Sequence, residues 1–86
     1  DNAGHIYRLL NEISESIKGG STDFTKLCNS AKKELTKLKF KPDYVEVREA
    51  NSLRPAAAGD TELVVLAAAI LGKARLIDNL RINLPK

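Results

Sequence analysis

The side chains able to do chemistry are few and scattered. The chain has one histidine, His5, and one cysteine, Cys28. His5 shares no metal-like spacing with a cysteine, a carboxylate or a second histidine, and an imidazole needs oriented partners to work as a ligand or as an acid–base group. A nucleophilic Cys28 would need a base, and His5 is the single imidazole available. The carboxylates Asp43 and Glu46, and Glu12 and Glu15, stand at strand or helix spacing and read as surface charges. The phosphate-cradling, zinc-binding and nucleophile-elbow strings GxGxxG, GxxxxGK(S/T), CxxC, HExxH and GxSxG are all absent. No catalytic, metal-binding or cofactor-binding residue is therefore assigned from residue chemistry.

The densest charge is basic. Lys26, Lys32, Lys33 and Lys37 are followed by Lys39 and Lys41, with Glu34 the one acid among them. Such a run is ordinarily a solvated helix face. The alternative is a small basic binding module using Lys32, Lys33, Lys37, Lys39 and Lys41 on nucleic acid or protein. Against nucleic acid stand the missing RNP aromatics and GXXG clamp, and a total of four aromatic residues on which bases could stack. The net charge of +3 is too weak to argue for it alone.

The elements that would position these groups are legible from periodicity. Ile6, Leu9, Leu10, Ile13 and Ile17 form one face of a helix, which Gly19-Gly20 stops. Ser21 or Thr22 is expected to cap a second helix with Asp23 in its first turn. Its apolar stripe is Phe24, Leu27, Cys28, Ala31, Leu35 and Leu38, which places Cys28 in the core as an inert thiol. Pro42 is expected to end the helical stretch. Tyr44–Arg48 alternates as a half-buried strand with Val45 and Val47 inward, and Glu49–Ala58 reads as a turn and connection.

The longest apolar run, Leu63–Leu71, fits a buried strand or a buried helix by periodicity alone. Gly72-Lys73 decides for a hairpin: glycine at the first central position of a type II′ turn supplies the positive φ. The expected hairpin is Leu63–Leu71, turn, Ala74–Leu80. The order ααβββ predicts an α+β fold, with two helices packed on one face of a small three-stranded, mainly antiparallel sheet.

At 86 residues this is one small domain of globular composition. A single cysteine rules out an internal disulfide framework and fits a reducing compartment. No apolar stretch reaches the roughly 18 residues of a membrane span, and no leader-like pattern opens the sequence.

Two strings carry a family resemblance. LAAAILGKARLIDN resembles the C-terminal signature of the pantothenate synthetases, the pantoate–β-alanine ligases, with Ala74 where the family usually has threonine. Upstream, FKPDYVEVREANSL resembles the segment leading into that family's C-terminal sheet. The resemblance spans roughly Gly4–Leu80 and matches the last third or so of a full-length ligase; RINLPK at the end is unmatched.

The resemblance implies a C-terminal lid domain of residues 1–86, without the N-terminal Rossmann-like catalytic domain. It implies a ligase that makes pantoyl-adenylate from pantoate and ATP with Mg²⁺, then transfers the pantoyl group to β-alanine. ATP and Mg²⁺ belong to the full-length enzyme, a cytoplasmic homodimer without nucleic-acid or membrane partners. The histidine motif, the pantoate-contacting glutamines and the lysine loop of the family lie in the larger domain, so the 86 residues alone are expected to be inactive. The lid would close over the missing domain's nucleotide site. Its candidate contacts are Lys73 at the hairpin tip and Arg75 just after it, with pairing of Arg75 to Asp78 or Glu46 as the structural alternative.

Overall fold

A computed structural model describes residues 2–85. The elements follow the expected order: α1 (Asn2–Lys18), α2 (Phe24–Lys37), β1 (Lys41–Glu49), β2 (Glu62–Leu71) and β3 (Ala74–Asn83). The strands form one antiparallel sheet in the order β1-β2-β3, and the two helices lie on one of its faces. Helix α2 lies over β1, and α1 over β3 and β2.

Helix α1 ends where the glycine pair demands. Gly20 takes φ +108°, its N–H bonds to the Ile17 carbonyl, and the Ser21 N–H bonds to the Ser16 carbonyl. This is a Schellman closure, which needs the left-handed residue that glycine supplies cheaply. Helix α2 ends in the same way, but on Lys39 at φ +73°. The cap of α2 corrects the expectation. It is Asp23, whose carboxylate accepts from the Lys26 N–H at 3.1 Å, and neither Ser21 nor Thr22. Helix α2 begins at Phe24, so Asp23 is the residue immediately before it, and Ser21 and Thr22 lie too far upstream to occupy the capping position.

The core is assembled from the predicted stripes. Ile6, Leu9, Leu10, Ile13 and Ile17 of α1 meet Cys28, Ala31 and Leu35 of α2, over Val45, Val47, Leu63, Val65, Ala67 and Ala69. Each fully buried leucine or isoleucine contributes about 1.5–3 kcal/mol. The alanines of β2 occupy a strand despite their helix propensity. As the central strand, β2 pairs on both sides, and tertiary context overrides a preference worth tenths of a kcal/mol per residue.

Two strand boundaries lie three residues beyond expectation, and two others lie one residue beyond it. Pro42 lies inside β1, because β1 is an edge strand and the ladder is irregular between Pro42 and Tyr44. Strand β3 runs on through Arg81–Asn83, pairing Ile82 with Leu63 and Asn83 with Glu62. Ile82 is 0% exposed, a core residue inside the tail that the two family-like strings do not reach, although Lys86 of that tail lies outside the described residues.

Candidate functional site

The hairpin that should carry the site forms as expected. Leu71 pairs with Ala74, leaving Gly72 and Lys73 as a two-residue loop. Gly72 has φ +62° while Lys73 does not share the positive φ, which is the pattern of a type II′ turn. Lys73 is exposed at the tip and makes no ion pair among the described residues.

Arg75 is held within the domain. Its guanidinium bonds to Asp43 at 2.8 Å, with both side chains about half exposed. The partner is neither Asp78 nor Glu46. Asp78, three residues along β3, points to the opposite face of the sheet, where its carboxylate accepts from the Asn79 N–H. Glu46 lies opposite Leu66 and Arg75 opposite Ile70, four residues along β2, about 13 Å apart at the strand rise. Glu46 pairs instead with Arg48 at 2.8 Å.

The other candidate groups are kept apart. His5 lies edge-on to Phe40, with ring centroids 6.4 Å apart. Cys28 is buried in a cleft of about 270 Å³ between α2 and β1, lined by Phe24, Lys32, Val47 and Pro55 among others, and His5 is not part of its wall. Burial pushes the thiol pKa up; the charge of Lys32 and the main chain of Val47 pull the other way without reversing it. No metal-ligating cluster of histidine, cysteine and carboxylates exists among the described residues. Glu12 pairs with Arg8 at 2.7 Å. Lys26, Lys33, Lys37, Lys39 and Lys41 are all exposed, and Lys32 is half-buried in the cleft wall.

Reading by sequence missed the order in the connection between β1 and β2. Arg54 grips Asp60 through two bonds of 2.8 and 2.7 Å, and the Ala57 N–H donates to the same carboxylate. Glu49 accepts from the Ser52 N–H at 2.8 Å, the Ser52 hydroxyl at 2.9 Å and the Asn51 N–H at 3.0 Å. These bonds hold both carboxyl pKa values below the usual range, the Ser52 N–H chiefly for Glu49 and the Arg54 guanidinium chiefly for Asp60. The Ala56 N–H bonds to the Val47 carbonyl, covering part of the free edge of β1. Leu53 sits in the left-handed region at φ +61°, its carbonyl accepting from Arg48 at 3.1 Å. Asn51, Ser52, Pro55 and Gly59 signal turns one at a time, but nothing in their order announces an Arg54–Asp60 clasp.

The far face of the sheet, away from the helices, is lined in register by Arg48–Val64–Arg81, Glu46–Leu66–Asn79 and Tyr44–Ala68–Ile77. No helix of the described residues is long and apolar enough to cross a membrane.

Comparison with known proteins gives one answer. The profile of the pantoate-beta-alanine ligase family matches residues 1–81. The pantothenate synthetase of Azotobacter vinelandii is 53% identical over 79 residues, covering 92% of this chain and 28% of the relative. That of Neisseria meningitidis serogroup B is 51% identical over 85 residues, covering 99% of this chain and 31% of the relative. The crystal structure of the pantothenate synthetase from Thermus thermophilus superposes with a TM-score of 0.76 at 25% identity, over 88% of this chain and 28% of that one. The chain thus spans under a third of the length of the proteins it matches.

Proposed function

The chain belongs to the pantoate-beta-alanine ligase family, and we propose that it is the C-terminal lid domain of such a ligase. The observation that carries the reading is the lopsided match: nearly all of this chain aligns to under a third of each relative, and the strings GxGxxG, GxxxxGK(S/T), CxxC and HExxH do not occur in it. The full-length enzyme would join pantoate and β-alanine through a pantoyl-adenylate at the expense of ATP, in the cytoplasm and as a homodimer, without nucleic-acid or membrane partners. ATP and Mg²⁺ would be held by the N-terminal catalytic domain, where the family resemblance places the histidine motif and the lysine loop.

The lid's part is positional. An acyl-adenylate is hydrolysed by water, so a domain that closes over it protects the intermediate until the amine attacks. A rigid hairpin suits this role because a II′ turn projects its tip without slack. Lys73, free at that tip, is the better placed of the two candidate contacts. Arg75 would have to leave Asp43 to reach a phosphate or an acidic rim.

The test replaces the matching segment of the Azotobacter vinelandii enzyme with this chain and measures pantothenate formation. The expected result is turnover by the chimaera and none by the 86 residues alone. Lys73→Ala should lower turnover without lowering the melting temperature. Pantothenate formed by the isolated chain, or a folded chimaera without turnover, overturns the lid reading.

A further inference from the structure

The central strand β2 has a residue pattern that its surroundings do not explain. An antiparallel sheet with one face in water carries polar residues at the outward positions. The outward positions of β2 after Glu62 are Val64, Leu66, Ala68 and Ile70, all apolar, so the strand reads as one covered on both faces. The helices cover one face only. On the other, neighbouring side chains close over Val64 and Ala68, leaving Leu66 and Ile70 half-buried and Ile77 beside them 60% exposed.

A second observation comes from the rim. Leu53 is 56% exposed and held at φ +61°, a conformation that leucine adopts only at a steric cost. Arg48 and Glu49 fix it there through the Leu53 carbonyl and N–H. Together with Tyr44, Glu46, Arg48 and Leu66 it walls a shallow recess of about 350 Å³ on this same face. Those two bonds account for the backbone conformation, whereas the large apolar side chain it carries is left mostly in water. Among the described residues the outer sides of the helices offer no equivalent: Tyr7 is their one exposed large apolar side chain, beside charges such as Arg8, Glu12, Glu15, Lys26 and Lys33.

Charge narrows the occupant. Arg48 and Arg75 are neutralised by Glu46 and Asp43, whereas Arg81 makes no ion pair among the described residues. The relatives are more than three times the length of this chain, so a full-length ligase has ample further chain to cover the face. We infer that the open face of the sheet, centred on Leu66 and Ile77 and bounded by Leu53, is where the rest of a full-length ligase chain docks, with a surface apolar at its centre and acidic opposite Arg81. The inference rests on the reading of the chain as a ligase domain and adds to it the face that is covered.

The experiment compares thiol labelling of Ile77→Cys and Lys33→Cys, in the 86-residue chain and in the Azotobacter vinelandii chimaera, quantified peptide by peptide. Docking should slow labelling at position 77 at least tenfold in the chimaera and leave position 33 unchanged. Leu53→Gly adds a variant that cannot be dismissed as unfolded. It relieves the left-handed leucine, so the isolated chain should melt no lower than the parent, while labelling at position 77 in the chimaera speeds up. An active chimaera whose position 77 labels as fast as in the isolated chain overturns the docking face and leaves the ligase reading intact. A folded but inactive chimaera overturns both. An 86-residue chain that dimerises, and is made monomeric by Ile77→Lys, gives the face to a second copy and overturns the inference as well.

Discussion

Arg75 and Asp43 join the two edge strands across the central one. Arg75 stands opposite Ile70 on β3, Asp43 lies at the irregularity of β1, and their side chains meet at 2.8 Å. The departure from regular pairing at Pro42 makes the contact possible, by displacing Asp43 from a strictly alternating position. The pair thus ties the base of the hairpin to the sheet and leaves Lys73 alone at its tip.

Its contribution to stability should nevertheless be small. Both partners are about half exposed, and pairs of this kind are worth about 0–1 kcal/mol. Arg75→Ala should shift the urea midpoint of the isolated chain by no more than that, and the difference should shrink further in about 1 M salt, where the screening length falls to about 3 Å. A loss well above 1 kcal/mol would make Arg75 a structural residue of the sheet and remove it from consideration as a lid contact.

Gly72→Val tests the turn itself. An added Cβ would meet nothing within 4 Å, so any cost comes from forcing a β-branched residue into φ +62°. The expected loss is about 1–3 kcal/mol, read as a lower melting temperature by circular dichroism. An unchanged melt would show that the turn relaxes to another type at no cost.

What was legible in the sequence, and what was not, divides along physical lines. Helices write themselves as a 3.6-residue stripe, and every member of the stripes from Ile6 to Ile17 and from Phe24 to Leu38 faces the core. A strand's length, by contrast, is set by its partner. Strand β3 continues to Asn83 because β2 begins at Glu62, which no local pattern in RINLPK reveals. Pro42 was misleading for the same reason: its lack of an N–H bars it from a central strand and not from an edge. The polar order of the β1–β2 connection was unreadable because Arg54 and Asp60 meet through the path of the loop. Lys73 and Arg75 were placed correctly on the hairpin, while the partner of Arg75 depended on one irregularity in β1.

That connection should respond to acid. The folded-state pKa values of Glu49 and Asp60 are depressed, so their contribution is present above the unfolded carboxylate pKa and is lost as pH falls through the folded values. Asp60→Asn removes the charged partner of Arg54. The expected outcome is a shallower fall of stability with acid than in the parent, together with faster proteolysis between Ala50 and Thr61 at neutral pH. Identical acid limbs for the two proteins would mean that the clasp is not retained in solution.

Cys28 governs the alkaline side. Its folded-state pKa lies above the ordinary thiol value, so above that ordinary value the unfolded chain loses a proton that the folded chain keeps. Stability associated with the neutral thiol is therefore full below the unfolded pKa and declines as pH rises past it toward the folded value. Cys28→Ala should flatten this alkaline limb. In native buffer the thiol should also label slowly, and in denaturant fast. Rapid native labelling would place the sulfur in contact with solvent in the α2–β1 cleft and contradict its burial.

The last prediction concerns the closure of α2, where the structure uses an expensive residue in a position that α1 fills cheaply. Lys39 holds φ +73°, with its N–H bonded to the Thr36 carbonyl at 3.0 Å and the following Phe40 N–H bonded to the Leu35 carbonyl at 2.9 Å. Gly20 does the same work after α1. The left-handed conformation costs a side-chain-bearing residue about 1–2 kcal/mol, while glycine gives back about 0.4–1 kcal/mol through the entropy of the unfolded chain. The Lys39 side chain is exposed and makes no ion pair among the described residues, so little else is lost on removing it. Lys39→Gly should therefore stabilise the chain by up to about 1 kcal/mol, a rise of roughly 4–8 °C in melting temperature per kcal/mol for a domain of this size. Gly20→Ala should move it the opposite way by a similar amount. If Lys39→Gly instead lowers the melting temperature, the lysine stem contributes packing over Phe40 that outweighs the backbone strain.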